Sequence, residues 1–216
     1  MIFTKEPVLP DYAVFVLRFI IFAAAHSLFA ATRVKKMIGG MNEKEPRFYR
    51  LIYNLCSLVV FGWVMAAYRN SPVLYYAPGV WSLVIYLIQF VVAAILFNCL
   101  RQTGTADFLG FKEFRTATSS DRHLVTSGCY AIVRHPLYLL SSIFMLINPV
   151  MSAQWLLLTT LSAIYFISGA LIEERRLVAT FGDEYRRYQQ CVPFMIPSRR
   201  GLRDLYSKSP RQSPEA

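Results

Sequence analysis

The chain has 216 residues, of which 55% are hydrophobic and 17% charged, with a formal net charge of +10 at pH 7. A soluble domain carries about 25% charged residues, and 16 Phe, 13 Tyr and 3 Trp exclude a disordered chain. The positive charge alone would suit a nucleic-acid binder. It is segregated between long apolar runs, however, so the reading is an all-α polytopic membrane protein with no nucleic-acid partner.

A helix needs about 20 apolar residues to cross a bilayer. The first candidate is 12–31, interrupted by Arg18 and His26. Arg18 is expected to snorkel or to pair with Asp11. The run is too long for a cleavable leader and Arg33, Lys35 and Lys36 follow it, so it reads as a retained anchor. The second candidate is 51–68 and the third, without any charge, is 79–100. The fourth and fifth, 137–151 and 153–172, flank Asn148-Pro149 and form a helical hairpin whose ends emerge on one side. The fourth is short for a full span and reads as either a tilted or a re-entrant helix. A continuing or surface-lying amphipathic helix follows, with Leu177, Phe181, Tyr185 and Tyr188 on one face and Gly182 weakening it. Pro193 and Pro197 end it, and 198–216 reads as a basic flexible tail. The organisation expected is a three-helix region over 1–104, a second region over 105–197, and that tail.

Lys and Arg place these elements in the membrane. Twenty lie in the first loop, the loop after the third run and the C-terminal segment, whereas Lys5 and Arg69 alone fall on the other side. The positive-inside bias then puts the N-terminus outside and the C-terminus in the cytoplasm, across what is expected to be a bacterial inner membrane. Cys56, Cys99, Cys129 and Cys191 form no CxxC pair, and Cys56 and Cys99 fall inside apolar runs. Neither a disulfide framework nor a metal site is expected.

Two polar groups stand out against this background. Arg134-His135-Pro136 opens the fourth run. Pro136 suits a first helical turn, and unpaired backbone N–H groups there would attract a carboxylate or another polar ligand. Equally, Arg, His and Tyr serve as anchors at a lipid boundary. Glu173-Glu174 closes the fifth run. One acid can face a cationic or hydroxylated ligand while the other pairs with Arg175 or Arg176, or both can belong to a solvated helix end. The hairpin brings the two groups to the same side, which makes a shared pocket reasonable.

The pattern Gly128-x-Tyr130-x-x-x-Arg134-His135-Pro136-x-Tyr138, then Asn148-Pro149, then Glu173-Glu174-x-x-Leu177-x-x-x-Phe181-Gly182-x-x-Tyr185-x-x-Tyr188-x-x-x-Val192-Pro193 resembles the integral-membrane methyltransferases. These include the isoprenylcysteine carboxyl methyltransferases and the phospholipid N-methyltransferases. His26-Ser27, Val34-Lys35, Tyr49-Arg50-Leu51-x-Tyr53-Asn54 and Asp107-x-x-Gly110 look like the bacterial branch with NnrU-type proteins and methanethiol S-methyltransferase. The resemblance implies S-adenosyl-L-methionine as methyl donor. It implies cofactor contacts from His123, Leu124, Val125, Tyr130, His135, Pro136, Leu137, Tyr138 and Glu173, with Glu174 beside them.

Two departures bear on the acceptor. Leu140 stands where many members have Gly. Gly169 stands where isoprenylcysteine enzymes place a substrate-binding Arg, which argues against a prenylcysteine carboxylate. A small thiol or lipid-soluble acceptor remains, and a thiol must ionise to react. His26, Arg50, Tyr53 and Asn54, near the ends of the first two runs, are the candidates for that task. The alternatives are a helix-bonded polar group for His26 and a positive-inside anchor for Arg50. Phospholipid N-methylation, isoprenylcysteine-type carboxyl methylation and a non-catalytic NnrU-type membrane subunit are the competing functions.

Overall fold

A computed structural model of the chain describes residues 9–31, 34, 37, 49–69, 71–103 and 124–197. The expected basic tail over 198–216 lies outside the described residues. Seven helices and two short strands occur among the described residues. Helix α1 is Leu9–Ala30, α2 Tyr49–Met65, α3 Val80–Gln102, α4 Cys129–Ile132, α5 Pro136–Leu146, α6 Ala153–Phe181 and α7 Asp183–Cys191. Strand β1 is Val73–Tyr76 and β2 is Val150–Ser152.

Helices α1, α3 and α6 are long and apolar enough to cross a membrane, and α2 and α5 are shorter apolar helices. Their outer faces suit lipid. Phe90 is 71% exposed and Leu58 67%, a cost in water but not in hydrocarbon. The 29 residues of α6 span about 43 Å, against about 30 Å of hydrocarbon core. The charged run Glu173-Glu174-Arg175-Arg176 lies in the C-terminal third of this helix.

The structure divides into two compact units. The described residues of the first fall within Met1–Ser82 and Pro149–Leu161. There α1 packs on α2: Phe15 and Phe19 are buried, and Phe15 meets the edge of Tyr68 at 6.3 Å. Arg18 donates from Nη1 to the Trp63 carbonyl at 2.9 Å and stands over the Trp63 ring, a partner the sequence did not suggest.

Strands β1 and β2 add a two-stranded antiparallel ribbon that the all-helical expectation did not contain. Val73 pairs with Ser152 and Tyr76 with Val150. The apolar run 137–151 is consequently not one helix. It leaves α5 at Leu146, turns through Asn148-Pro149 and becomes β2. Proline lacks the donor that a continuing helix needs, so extended backbone takes over. Ser152 then starts α6: its Oγ accepts from the Trp155 N–H at 3.2 Å, the position of an N-cap. Gln154 is fully buried and its amide is satisfied, accepting from Arg69 N at 2.8 Å and donating to the Ala67 carbonyl at 3.2 Å.

The described residues of the second unit fall within Leu83–Thr103, Asp121–Asn148 and Ser162–Ala216. Here the helix expected beyond Ile172 resolves into two. Helix α6 runs on to Phe181, and α7 begins only after Gly182, whose φ is +56°. That break puts Leu177 and Phe181 on one helix and Tyr185 and Tyr188 on another, with both tyrosines buried. A disulfide joins Cys99 to Cys129, contrary to the expectation from cysteine spacing. Spacing cannot show that α3 ends against the Gly128 turn. Tertiary packing puts the two α-carbons 5.7 Å apart, within the usual bridging range of about 4.4–6.8 Å.

Candidate functional site

In the second unit the site is built on the Gly128–Tyr138 stretch. Gly128 has φ +60° and ψ −126°, a conformation that suits glycine. A Cβ there would meet the Gln102 side chain. Gln102 Oε1 accepts from Cys129 N at 3.1 Å, so the turn is fastened to the end of α3 twice, by this bond and by the disulfide. Leu124 and Val125 lie in the irregular stretch before the turn. His123 lies outside the described residues. Tyr130 follows on α4, and its carbonyl accepts from the Tyr188 hydroxyl at 2.6 Å.

Pro136 occupies the first turn of α5, as its missing donor allows. The backbone N–H groups before it are not open to a ligand, which corrects that expectation. Arg134 N donates to the Pro193 carbonyl at 2.9 Å and His135 N to the Phe194 carbonyl at 3.2 Å. The segment after α7 therefore lies along the start of α5. Pro193 ends α7 and turns the chain back to serve as acceptor.

Arg134 also points inward. Its Nε donates to Glu174 Oε1 at 2.6 Å, and its Nη1 donates to the carbonyls of Gln189 and Val192 at 3.0 and 2.7 Å. It thereby caps the C-terminal end of α7, where a cation is favourable. Glu174 pairs with this distant Arg134, whereas Arg175 and Arg176 were the expected partners. Gln189 Nε2 donates to its other oxygen at 2.9 Å, and His135 Nε2 and the Tyr185 hydroxyl lie 3.3 and 3.4 Å from Oε1. Glu174 is thus committed to structure. Its side chain is 14% exposed.

Glu173 differs. Its side chain is 48% exposed. Oε2 accepts from the Tyr138 hydroxyl at 3.1 Å and lies 3.8 Å from His135 Nδ1. The His135 side chain is only 4% exposed, between the Tyr138 ring at 5.8 Å and the Phe194 ring at 5.0 Å. Tyr138 continues the stack onto Phe166 at 5.6 Å. Leu137 shares the first turn of α5, and Gly169 faces the Tyr138 hydroxyl.

Burial pulls the His135 pKa below its ordinary value, against the opposing pull of Glu173 and Glu174. Burial also raises the phenols of Tyr130, Tyr185 and Tyr188, so all three stay protonated donors at neutral pH. The second unit thus brings His135, Tyr138, Glu173 and Glu174 into direct contact. The sequence pattern did not single out Gln189 or Phe194 as site partners. Their positions around the Val192-Pro193 stop were the signal available.

The first unit holds the other predicted group. His26 Nε2 is 2.7 Å from the Tyr53 hydroxyl, and His26 Nδ1 is 2.8 Å from Ser57 Oγ. The His26 ring lies between Tyr53 at 4.9 Å and Phe22 at 5.4 Å. Arg50 and Asn54 lie in the first two turns of α2. Ser57 was missed, although it stands one turn beyond Tyr53 and shares its helix face.

An apolar helical scaffold thus carries a cluster of His135, Tyr138, Glu173 and Glu174 where α5 begins, as in a membrane protein with a polar site. The chain belongs to the NnrU protein family, whose model matches residues 14–190. It is similar to methanethiol S-methyltransferase 1 of Bradyrhizobium diazoefficiens, with 45% identity over 73 residues, 34% of this chain and 26% of that protein. It is 35% identical over 107 residues to methanethiol S-methyltransferase 2 of the same organism, covering 48% of this chain and 41% of that one. The protein-S-isoprenylcysteine O-methyltransferase of Schizosaccharomyces pombe is 32% identical over 126 residues, 52% of this chain and 53% of that one. The chain thus spans about a quarter to a half of the length of these relatives. No solved structure matches it significantly.

Proposed function

We propose that the chain is an integral-membrane, S-adenosyl-L-methionine-dependent methyltransferase acting on a small thiol or another lipid-soluble acceptor. The observation that carries this reading is the difference between the two adjacent acids. Glu174 is occupied by Arg134 and Gln189. Glu173 is half exposed, has one oxygen steadied by Tyr138, and has no partner for Oε1 among the described residues.

The donor's chemistry fits that set. It carries an ammonium, a ribose diol, an adenine and a sulfonium. Glu173 would accept from the ribose diol or from the ammonium, and the Tyr130 and Tyr138 rings would suit the flat base and the cation. His135, Pro136 and Leu137 shape the start of α5, Leu124 and Val125 line the approach, and His123 belongs to the same set. Glu174 acts through Arg134 and His135. When bound, the donor supplies an electrophilic methyl group.

His26, Arg50, Tyr53 and Asn54 serve the acceptor. Thiol-methylating relatives support the acceptor class, and Gly169 in place of a guanidinium disfavours a carboxylate acceptor. We further place the chain in the bacterial inner membrane, with the 11-residue α5 reaching only part of the way across, the N-terminus outside and the basic segments cytoplasmic.

Calorimetric titration of the purified chain in detergent with S-adenosylmethionine tests this. Binding by the wild type that weakens at least tenfold in Glu173→Ala and in His135→Ala is expected. Folded wild-type protein that takes up no donor would favour a non-catalytic membrane subunit, a reading to which the long family match also lends weight. Methyl transfer to methanethiol, a prenylcysteine and an aminolipid then sorts the acceptors.

A further inference from the structure

We propose that Cys99 and Cys129 form a reversible thiol–disulfide switch on the donor site, opened and closed by exchange with a low-molecular-weight thiol and its disulfide. The proposal rests on the donor site and the cytoplasmic orientation given above. Both cysteines belong to the second unit, which also holds His135, Tyr138 and Glu173.

The bridge is one of several fasteners on a single helix face. Cys99, Gln102 and Thr103 stand at i, i+3 and i+4 where α3 ends, so they share a side. Cys99 is bonded to Cys129. Gln102 Oε1 accepts from Cys129 N at 3.1 Å, and the Thr103 side chain lies beside the Tyr130 phenol. The end of α3 thus positions the start of α4, where Tyr130 is one of the proposed donor contacts. Opening the bridge leaves the Gln102 and Thr103 contacts and the bond from the Tyr188 hydroxyl to the Tyr130 carbonyl at 2.6 Å. The turn then loosens without being released, so the chain stays folded in both states.

The compartment separates a switch from a permanent staple. Arg101, Lys112, Arg115 and Arg122 lie between the two cysteines in the chain, and the positive-inside bias puts this segment in the cytoplasm. Disulfides there are usually transient or redox-sensing, because the thiol pool reduces them. Access is also uneven: Cys99 is fully buried and Cys129 only partly. A small thiolate therefore bonds to the Cys129 sulfur, the S–S bond breaks, and its electron pair leaves on Cys99, which takes up a proton. A second small thiolate attacks the added sulfur of the mixed disulfide and frees Cys129, which is protonated in turn. Two small thiols are oxidised to one small disulfide as the bridge is reduced, and the reverse sequence closes it.

The test uses the full chain in detergent with Cys56→Ser and Cys191→Ser, so that only the bridge responds. A glutathione buffer at the cytosolic poise is expected to open it, read by mass after alkylation of the freed thiols. Calorimetric affinity for S-adenosylmethionine should fall about tenfold on opening, the cost of re-ordering Tyr130 and its turn. It should return when oxidised glutathione is added. Cys99→Ala in the same background should bind as weakly as the open form and ignore the buffer. In membrane vesicles, an impermeant maleimide should reach reduced Cys129 from the cytoplasmic face. A bridge that stays closed at this poise, an affinity that does not change on opening, or labelling from the outer face alone overturns the switch and leaves the donor reading standing. Folded protein that binds no donor in either state defeats the donor reading, and the switch falls with it.

Discussion

Arg134 and Glu174, forty residues apart in the chain, meet at 2.6 Å with side chains only 11% and 14% exposed. The pair joins the start of α5 to the far part of α6, and Arg134 Nη1 holds the end of α7. Removing one partner leaves the other charge buried, at a cost of about 3–5 kcal/mol. Arg134→Met and Glu174→Gln should each lower the thermal midpoint in detergent substantially. The double variant should lose less than the two single losses combined, which a double-mutant cycle measures.

The buried His135 makes stability depend on pH. Burial, reinforced by Arg134, holds its folded pKa below the ordinary 6.5, while Glu173 and Glu174 pull the other way. Between the folded value and about 6.5 the unfolded chain binds more protons, so stability increases with pH. The contribution is complete above that range and shrinks as pH falls toward the folded value. Thermal midpoints between pH 5 and 7.5 should decline on acidification in the wild type. The decline should be smaller in His135→Gln.

Gly128 and Gly182 share nearly the same backbone, with φ of +60° and +56°, yet their surroundings differ. A Cβ at Gly182 meets open space, whereas one at Gly128 runs into Gln102 and disturbs its bond to Cys129 N. Gly182→Ala should cost the backbone strain alone, about 1–3 kcal/mol. Gly128→Ala should cost more, and chemical denaturation of the two variants gives the comparison. Gln102→Ala should narrow the gap by removing the clash.

The Cys99–Cys129 bridge closes a separation of 30 residues and ties α3 to the turn that opens the site. By chain entropy such a loop is worth about 3–4 kcal/mol. Reduction with a dithiol, or Cys99→Ser with Cys129→Ser, should therefore lower the thermal midpoint. Free-thiol titration of the unreduced chain should report Cys56 and Cys191 alone. Four reactive thiols there would show the bridge unformed.

Much of the architecture could be deduced from residue order. Runs such as 79–100 declare membrane helices because hydrocarbon accepts no unpaired backbone and few charges. Pro136 marks a helix start because its fixed backbone and missing donor suit a first turn, whereas Gly182 reads only as a weak point in a helix that the structure breaks there. The meeting of His135 with Glu173 and Glu174 was also within reach, since a hairpin returns its two ends to one side. The β1–β2 ribbon, the Cys99–Cys129 bridge, the Arg134–Glu174 pair and the bond from Ser57 to His26 were not. Each joins segments whose separation in the chain carries no periodic signal, and each exists only because packed helices bring particular atoms within about 3 Å of each other or within covalent reach. Local chemistry names the groups able to react or bind. Which of two neighbouring acids is consumed by structure, and which is left over for a ligand, is settled by what the folded chain places against it.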